Sequence, residues 1–282
     1  MNPNIHHKSY KFKGAQNKLI TADLTYSHYQ EPLPIVVFAH GFKGFKDWGA
    51  WPLAAEIFAN KGLPFFKFNF SHNGTTPDHL TDFVDLESFG HNNFKLEYDD
   101  FGLVLDFLSK KASSFDFEWN GAIYAIGHSR GGAIALLRSA QDERIQKCAT
   151  WSAVSDLERY LEMKDFKAWQ EEGVHTILNG RTNQEMPIYF QFVETFAQHA
   201  NQLSLGKHFE NISCPLFIVH GEQDTTVPLD DAHTIYQHVP HAIFLEIENA
   251  NHTFNTSHPL VERKIPKAFA ELVTETIEFF NW

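Results

Sequence analysis

Six short apolar runs, each closed by turn residues and spaced by segments long enough for helices, constrain this chain more than any other feature. They lie at residues 35–39, 64–70, 122–126, 147–152, 216–220 and 243–247. Strands joined through helical crossovers pair in parallel, and a parallel sheet is covered on both faces. Its strands therefore read as continuous Val, Ile, Leu and Phe rather than as an alternating pattern. Ahead of them, residues 8–13 and 18–26 read as an antiparallel hairpin at one edge. Helices fit at residues 51–61, 96–112, 132–140, 230–238 and 266–280, the last opening on Pro266, where a missing N–H costs little. The expectation is an α/β fold with a mostly parallel central sheet flanked by helices.

The 282 residues, 43% of them hydrophobic and 27 of them Phe, suffice to cover both faces of such a sheet in one domain spanning 1–282. Between the sixth and seventh strands, roughly sixty residues replace a simple crossover. Residues 156–204 mix charged, helix-like stretches with Tyr160, Phe166, Trp169, Tyr189, Phe190, Phe192 and Phe196. They read either as a small helical lid or as an extended crossover packed on the sheet. Lys and Arg number 23 against 35 Asp and Glu, a net charge of -12 with no basic cluster, which excludes a phosphate-tracking nucleic-acid surface. The polar start and the absence of any run of ~18 to 20 apolar residues lead us to expect a cytoplasmic protein without a transmembrane segment. Cys148, in an apolar run, and Cys214, before Pro215, read as structural thiols.

The chemistry starts at Gly127-His128-Ser129-Arg130-Gly131, which follows one apolar run and precedes a helix-compatible stretch. A strand that turns directly into a helix leaves room only for small residues around the turn, and it holds the serine at the carboxyl end of the sheet. A hydroxyl is a weak nucleophile, so it needs a base within hydrogen-bond reach and a carboxylate behind the base. Asp224 lies in Gly221-Glu222-Gln223-Asp224-Thr225-Thr226-Val227-Pro228 after the fifth of the six runs, and His252 in Asn251-His252-Thr253-Phe254 after the sixth. Each follows a separate strand, so Ser129, Asp224 and His252 can converge on one edge of the sheet. Among the 17 histidines, His40, His128 and His220 read as structural hydrogen-bonding residues, and no spacing suggests a metal site. Arg130 reads either as a binder of a substrate carboxylate or, the reading favoured, as a cation tying the elbow to an acidic partner, with Glu97, Asp99 and Asp100 as candidates.

Taken together, His40-Gly41, the serine turn, the G-x-x-D-x-x-V-P turn and the late His252 resemble the α/β-hydrolase superfamily. The similarity is greatest to its small-esterase, dienelactone-hydrolase and prolyl-oligopeptidase-like branch. The resemblance covers nearly the whole chain and implies an α/β-hydrolase fold. His252 sits in Asn-His-Thr-Phe rather than the family's frequent Gly-x-x-His. The resemblance also implies an oxyanion hole made by two backbone N–H groups, those of Phe42, where Gly41 permits a close approach, and of Arg130. Phe42, Trp48 and Phe190 are the expected walls of the substrate pocket.

The activity expected is hydrolysis of a small-molecule carboxylic ester, of short acyl chain or small and aromatic, without metal or cofactor. A thioesterase or an amidase would use the same three residues. A dehalogenase of this fold would carry Asp in place of Ser129. A silent binding protein would keep the fold without turnover.

Overall fold

The chain opens with β1 (Ile5–Lys13) paired antiparallel to β2 (Leu19–Ser27), and Gln16 and Asn17 take positive φ in the turn between them. The computed structural model describes residues 4–162, 165–261 and 264–282. Strands and helices then alternate: β3 (Leu33–Ala39), α1 (Trp51–Ala59), β4 (Phe65–Asn69), α2 (Leu86–His91), α3 (Phe94–Lys111), β5 (Trp119–His128), α4 (Arg130–Ser139) and β6 (Ile145–Trp151). An insertion follows, made of α5 (Phe166–Glu172), β7 (Val174–Asn179), β8 (Gln184–Tyr189), α6 (Gln191–Gln198) and α7 (Ala200–Leu203). The chain closes with β9 (Leu216–Gly221), α8 (Leu229–His238), β10 (Ile243–Ile247) and α9 (Lys267–Asn281).

The main sheet runs β1-β2-β4-β3-β5-β6-β9-β10; β2 pairs antiparallel with β1 and β4, and every other pairing is parallel. The α/β-hydrolase fold expected from the sequence is thus the one observed. Its stabilising logic is visible in β3, where successive side chains alternate between two cores. Val36 and Phe38 join Trp51, Phe58, Trp151 and Phe269 on one face, while Ile35, Val37 and Ala39 join Val104, Leu137 and Phe101 on the other. Burying a ring such as Phe38 contributes about 2–3 kcal/mol.

The insertion corrects the sequence reading. Residues 156–204 are not purely helical: β7 and β8 form an antiparallel pair of their own. The loop that joins them, residues 180–183, begins at Gly180 and ends at Asn183, which takes φ 55°. Met163 and Lys164, within this segment, lie outside the described residues. The insertion packs through Phe192 and Phe196 onto Phe94 at the start of α3. That start is fixed by Asn93, whose side-chain oxygen accepts the Leu96 N–H at 3.0 Å. Among the described residues no helix is long and apolar enough to cross a membrane.

Candidate active site

Ser129 is the single residue between β5 and α4, and it takes φ 56° and ψ -124°. A non-glycine residue at such angles carries about 1–3 kcal/mol of strain and persists only where its surroundings enforce it. Here the Ser129 N–H donates to the Trp151 carbonyl at 2.9 Å, and its own carbonyl accepts from Gly132 at 2.9 Å. Close packing does the rest. A Cβ on Gly127 would run into the Gly131 carbonyl, and one on Gly131 into that of His40. The two glycines of the motif are therefore steric requirements of the turn.

Asp224 follows β9 in a loop that folds onto its own side chain. Oδ1 accepts the N–H groups of Thr226 and Val227, both at 2.9 Å, and Oδ2 accepts His252 Nδ1 at 2.7 Å. The carboxyl is fully buried. Burial alone would raise its pKa, but the His252 hydrogen bond and charge, with the two backbone donors, bring it below the usual carboxylate range. An ionised Asp224 can only accept, so the proton of the neutral His252 ring sits on Nδ1 and Nε2 keeps its lone pair. Ser129 and His252 line one cavity of about 790 Å³.

The other histidines near the site are scaffolding. His128 Nε2–H donates to the His252 carbonyl at 2.9 Å, and the two imidazoles lie tilted by 48° with centroids 4.7 Å apart. His220 Nε2–H donates to the Val227 carbonyl at 2.9 Å, fixing the Asp224 loop from below. His40 Nδ1–H donates to the Gly41 carbonyl at 2.9 Å and Nε2 accepts the Phe70 N–H, so it shapes the turn that carries Phe42. That turn comes close to the serine, since a Cβ on Gly41 would lie 2.9 Å from Ser129 Cβ. Phe42 is the second residue of a turn closed by the Gly44 N–H on the Gly41 carbonyl, and Arg130 is the first residue of α4. Neither position spends its N–H inside the turn or the helix, by the geometry of those elements.

The loop after β3 is tied to the sheet by a partly buried square of charges. Lys46 and Lys67 each pair with both Asp23 and Asp47, and the Lys46 N–H donates to Asn69 Oδ1 at 2.6 Å. Removing one partner would leave an uncompensated buried charge. The Arg130 side chain is likewise structural: it pairs with Glu97, nearly as buried as itself, and lies 4.2 Å from the centre of the Phe42 ring. Asp99 instead pairs with Lys95, and Asp100 accepts the N–H groups of Ala15 and Ser71, both at 2.7 Å.

Of the expected pocket walls, Phe42 and Trp48 line the cavity. Phe190 does not: its ring packs on Phe166 and Trp169, 5.6 Å from each. Tyr189 donates to Glu87 at 2.6 Å and Phe192 is buried against Phe94, so neither forms a wall. The insertion reaches the cavity through Arg159, Tyr160, Asn179 and Arg181. Asp156 is exposed and caps the Glu158 N–H at 2.7 Å. Cys148 and Cys214 are free, buried thiols. Burial raises the pKa of both, that of Cys214 to about 11, so neither is a thiolate near neutral pH.

The chain's relationships agree with this architecture. The family model described as BD-FAE matches residues 26–239, more than half of the chain. This chain belongs to the BD-FAE family. Ser129 and Asp224 fall inside the matched stretch and His252 lies beyond it. A 2,6-dihydropseudooxynicotine hydrolase of Paenarthrobacter nicotinovorans is 29% identical over 160 residues, which span 55% of this chain and 38% of that relative. Est1E of Butyrivibrio proteoclasticus, solved with ferulic acid bound, superposes with a TM-score of 0.71 at 18% identity, over 96% of this chain and 97% of that one. Pyrococcus horikoshii acylaminoacyl peptidase superposes at 0.70 and 15% identity, over 99% of this chain and 42% of the peptidase. At such identities the two superpositions bear on the fold of this BD-FAE member.

Burial also makes stability depend on pH. It drives His40 down to about 4, His128 to about 3 and His72 to about 4. Each folded pKa lies below the ~6.5 of an exposed histidine. The stability contributed is whole above pH ~6.5 and is lost as pH falls toward 4. Asp100, pushed up to about 7 by burial, has the opposite sign: its contribution is present at acid pH and lost as pH rises through 7. His220 and His258, also lowered by burial, act with these three rings against Asp100, and the lowered carboxylates Asp23, Asp85 and Asp224 share their sign, so we expect a lower urea midpoint near pH 4.5 than near pH 7. A midpoint that stays level or rises on acidification would mean that these rings are not held neutral.

Proposed function

We propose that this chain hydrolyses carboxylic esters through an acyl-enzyme on Ser129, with His252 as general base and Asp224 as the carboxylate that orients it. The observation that carries the reading is the 2.7 Å hydrogen bond from His252 Nδ1 to the buried Asp224, made beside the cavity that Ser129 shares. His252 Nε2 takes the Ser129 proton as Oγ attacks the ester carbonyl. The oxyanion of the tetrahedral intermediate is held by the Phe42 and Arg130 N–H groups. The alcohol then leaves with the proton from His252. Water attacks the acyl-enzyme, gives a proton to His252, and the acid departs as that proton returns to Ser129. The decisive experiment is labelling with a fluorophosphonate alongside an ester panel: adduct on Ser129 and turnover together support the reading. Ester binding with neither would make this a binding protein on a hydrolase fold.

Phe42, Trp48 and Tyr160 crowd the cavity, which favours short acyl and small aromatic esters. Ferulic acid bound to Est1E supports placing aromatic acyl esters in the panel. Across nitrophenyl esters of increasing acyl length, kcat/KM should decline gradually, because each methylene accommodated or excluded changes the barrier by roughly 1–3 kcal/mol at most. Phe42→Ala should move the optimum to longer chains, whereas Phe190→Ala should not. Highest efficiency on long chains in the unaltered protein would mean that the rings line an open groove.

A further inference from the structure

The charges around the cavity run against those of the chain. The whole sequence is acidic, with 35 Asp and Glu against 23 Lys and Arg. Yet among the described residues that line the cavity there are Lys43, Arg159 and Arg181 and no Asp or Glu. Arg159 is neutralised, because its guanidinium is paired with Asp231. Lys43 and Arg181 are different. Lys43, in the turn after β3, sends Nζ to the Leu178 carbonyl at 3.4 Å, which places it where the oxyanion loop meets the β7–β8 hairpin. Arg181, in the turn of that hairpin, spends one N–H on the Thr81 carbonyl at 3.3 Å, and its guanidinium lies 5.8 Å from the Phe45 ring centre. Among the described residues, neither cation has a carboxylate within 4.0 Å. The nearby acidic groups are engaged or outside: Asp47 is held by Lys46 and Lys67, and Asp82, which acts on His258, does not line the cavity. His258 is no source of charge, since burial lowers its pKa and its Nδ1 accepts the Gly49 N–H at 3.0 Å.

We propose that the ester cleaved at Ser129 carries a carboxylate, received by Arg181 and Lys43 at the rim where the hairpin meets the oxyanion loop. This rests on the ester-hydrolase reading above and adds the chemical class of its substrate. Two cations on one rim, one from each of the two elements that meet there, in an acidic molecule, attract an anion and repel a cation, and they orient an ester that carries a carboxylate at one end. The Arg181 fork also supplies paired N–H donors that match a carboxylate.

The test compares matched substrates. One pair is the 4-nitrophenyl monoester of glutaric acid and its methyl-capped neutral form; the other is 4-carboxyphenyl acetate and its methyl-capped form. The pairs place the carboxylate on the acyl and on the alcohol side respectively. The reading is the anionic-to-neutral ratio of kcat/KM, compared between the unaltered protein and a Lys43→Gln, Arg181→Gln variant, so that intrinsic reactivity cancels. In at least one pair the ratio should fall about five- to tenfold in the variant, the size expected of two partly exposed ionic contacts. In the unaltered protein the same ratio should fall as salt rises to about 0.5 M, where exposed charges are screened within a few ångströms. A ratio insensitive both to the substitutions and to salt in both pairs overturns the proposal. Hydrolysis of the neutral esters by the unaltered protein reports separately on the ester-hydrolase reading, so the two failures are distinguishable.

Discussion

Ser129→Ala is expected to leave the protein folded while lowering kcat for ester hydrolysis roughly 10³- to 10⁶-fold, the range seen when a triad nucleophile is removed. The fold should tolerate the change because what the elbow demands is a small residue at φ 56°, and the backbone bonds from Ser129 to Trp151 and Gly132 do not involve Oγ. The covalent route is lost with the hydroxyl; substrate binding in the cavity and the Phe42 and Arg130 N–H groups remain. Residual hydrolysis should therefore come with a little-changed KM, and the fluorophosphonate adduct should vanish. Circular dichroism and a thermal melt establish that the variant is folded. Hydrolysis within a few fold of the unaltered protein would place the nucleophile elsewhere.

The second large effect is expected at Asp224→Asn, with kcat lowered by about 10³- to 10⁴-fold and KM much less affected. Asn Oδ1 can still accept the Thr226 and Val227 N–H groups, so the loop keeps its shape. What changes is the atom facing His252 Nδ1, which becomes an NH₂ donor. The imidazole then has to accept there, its proton moves to Nε2, and the lone pair needed for the Ser129 proton is gone. His252→Ala should be of similar severity. His128→Ala should act mainly through stability and the placement of the base, because its Nε2–H holds the His252 carbonyl. A greater loss of turnover at His128 than at His252, in folded protein, would exchange the roles assigned to them.

Much of the architecture could be read from local sequence because its causes are local. Residues 35–39, 122–126 and 216–219 are continuous apolar runs, and a strand buried on both faces leaves no alternative to such a run. For the partner of Arg130 the sequence leaves three acidic residues open, Glu97, Asp99 and Asp100. Helical phase removes only Asp99, which points away to Lys95; Glu97 and Asp100 are both buried, and the tertiary structure chooses between them, because Asp100 is occupied by the Ala15 and Ser71 N–H groups. Within the insertion, β7 and β8 are joined by the four residues 180–183, too long for the two-residue Asn-Gly turn that marks a hairpin in sequence, so the pair was not legible there.

The sequence by itself determined the strand-to-helix serine turn, since steric limits at Gly127 and Gly131 act within five residues, and the order of the residues that follow separate strands. It also determined which segments form the strands of the main sheet, apart from their exact ends, but not the order in which they pair. Tertiary structure alone decided which side chains share a cavity. Phe190 and Arg181 lie nine positions apart in the same insertion, yet one packs half-buried on Phe166 and Trp169 and the other lines the cavity. Composition and spacing fix how much of a segment must be buried, but the direction in which each side chain points depends on how the segment docks. That docking is set by Phe192 and Phe196 against Phe94, contacts about a hundred residues apart in the chain.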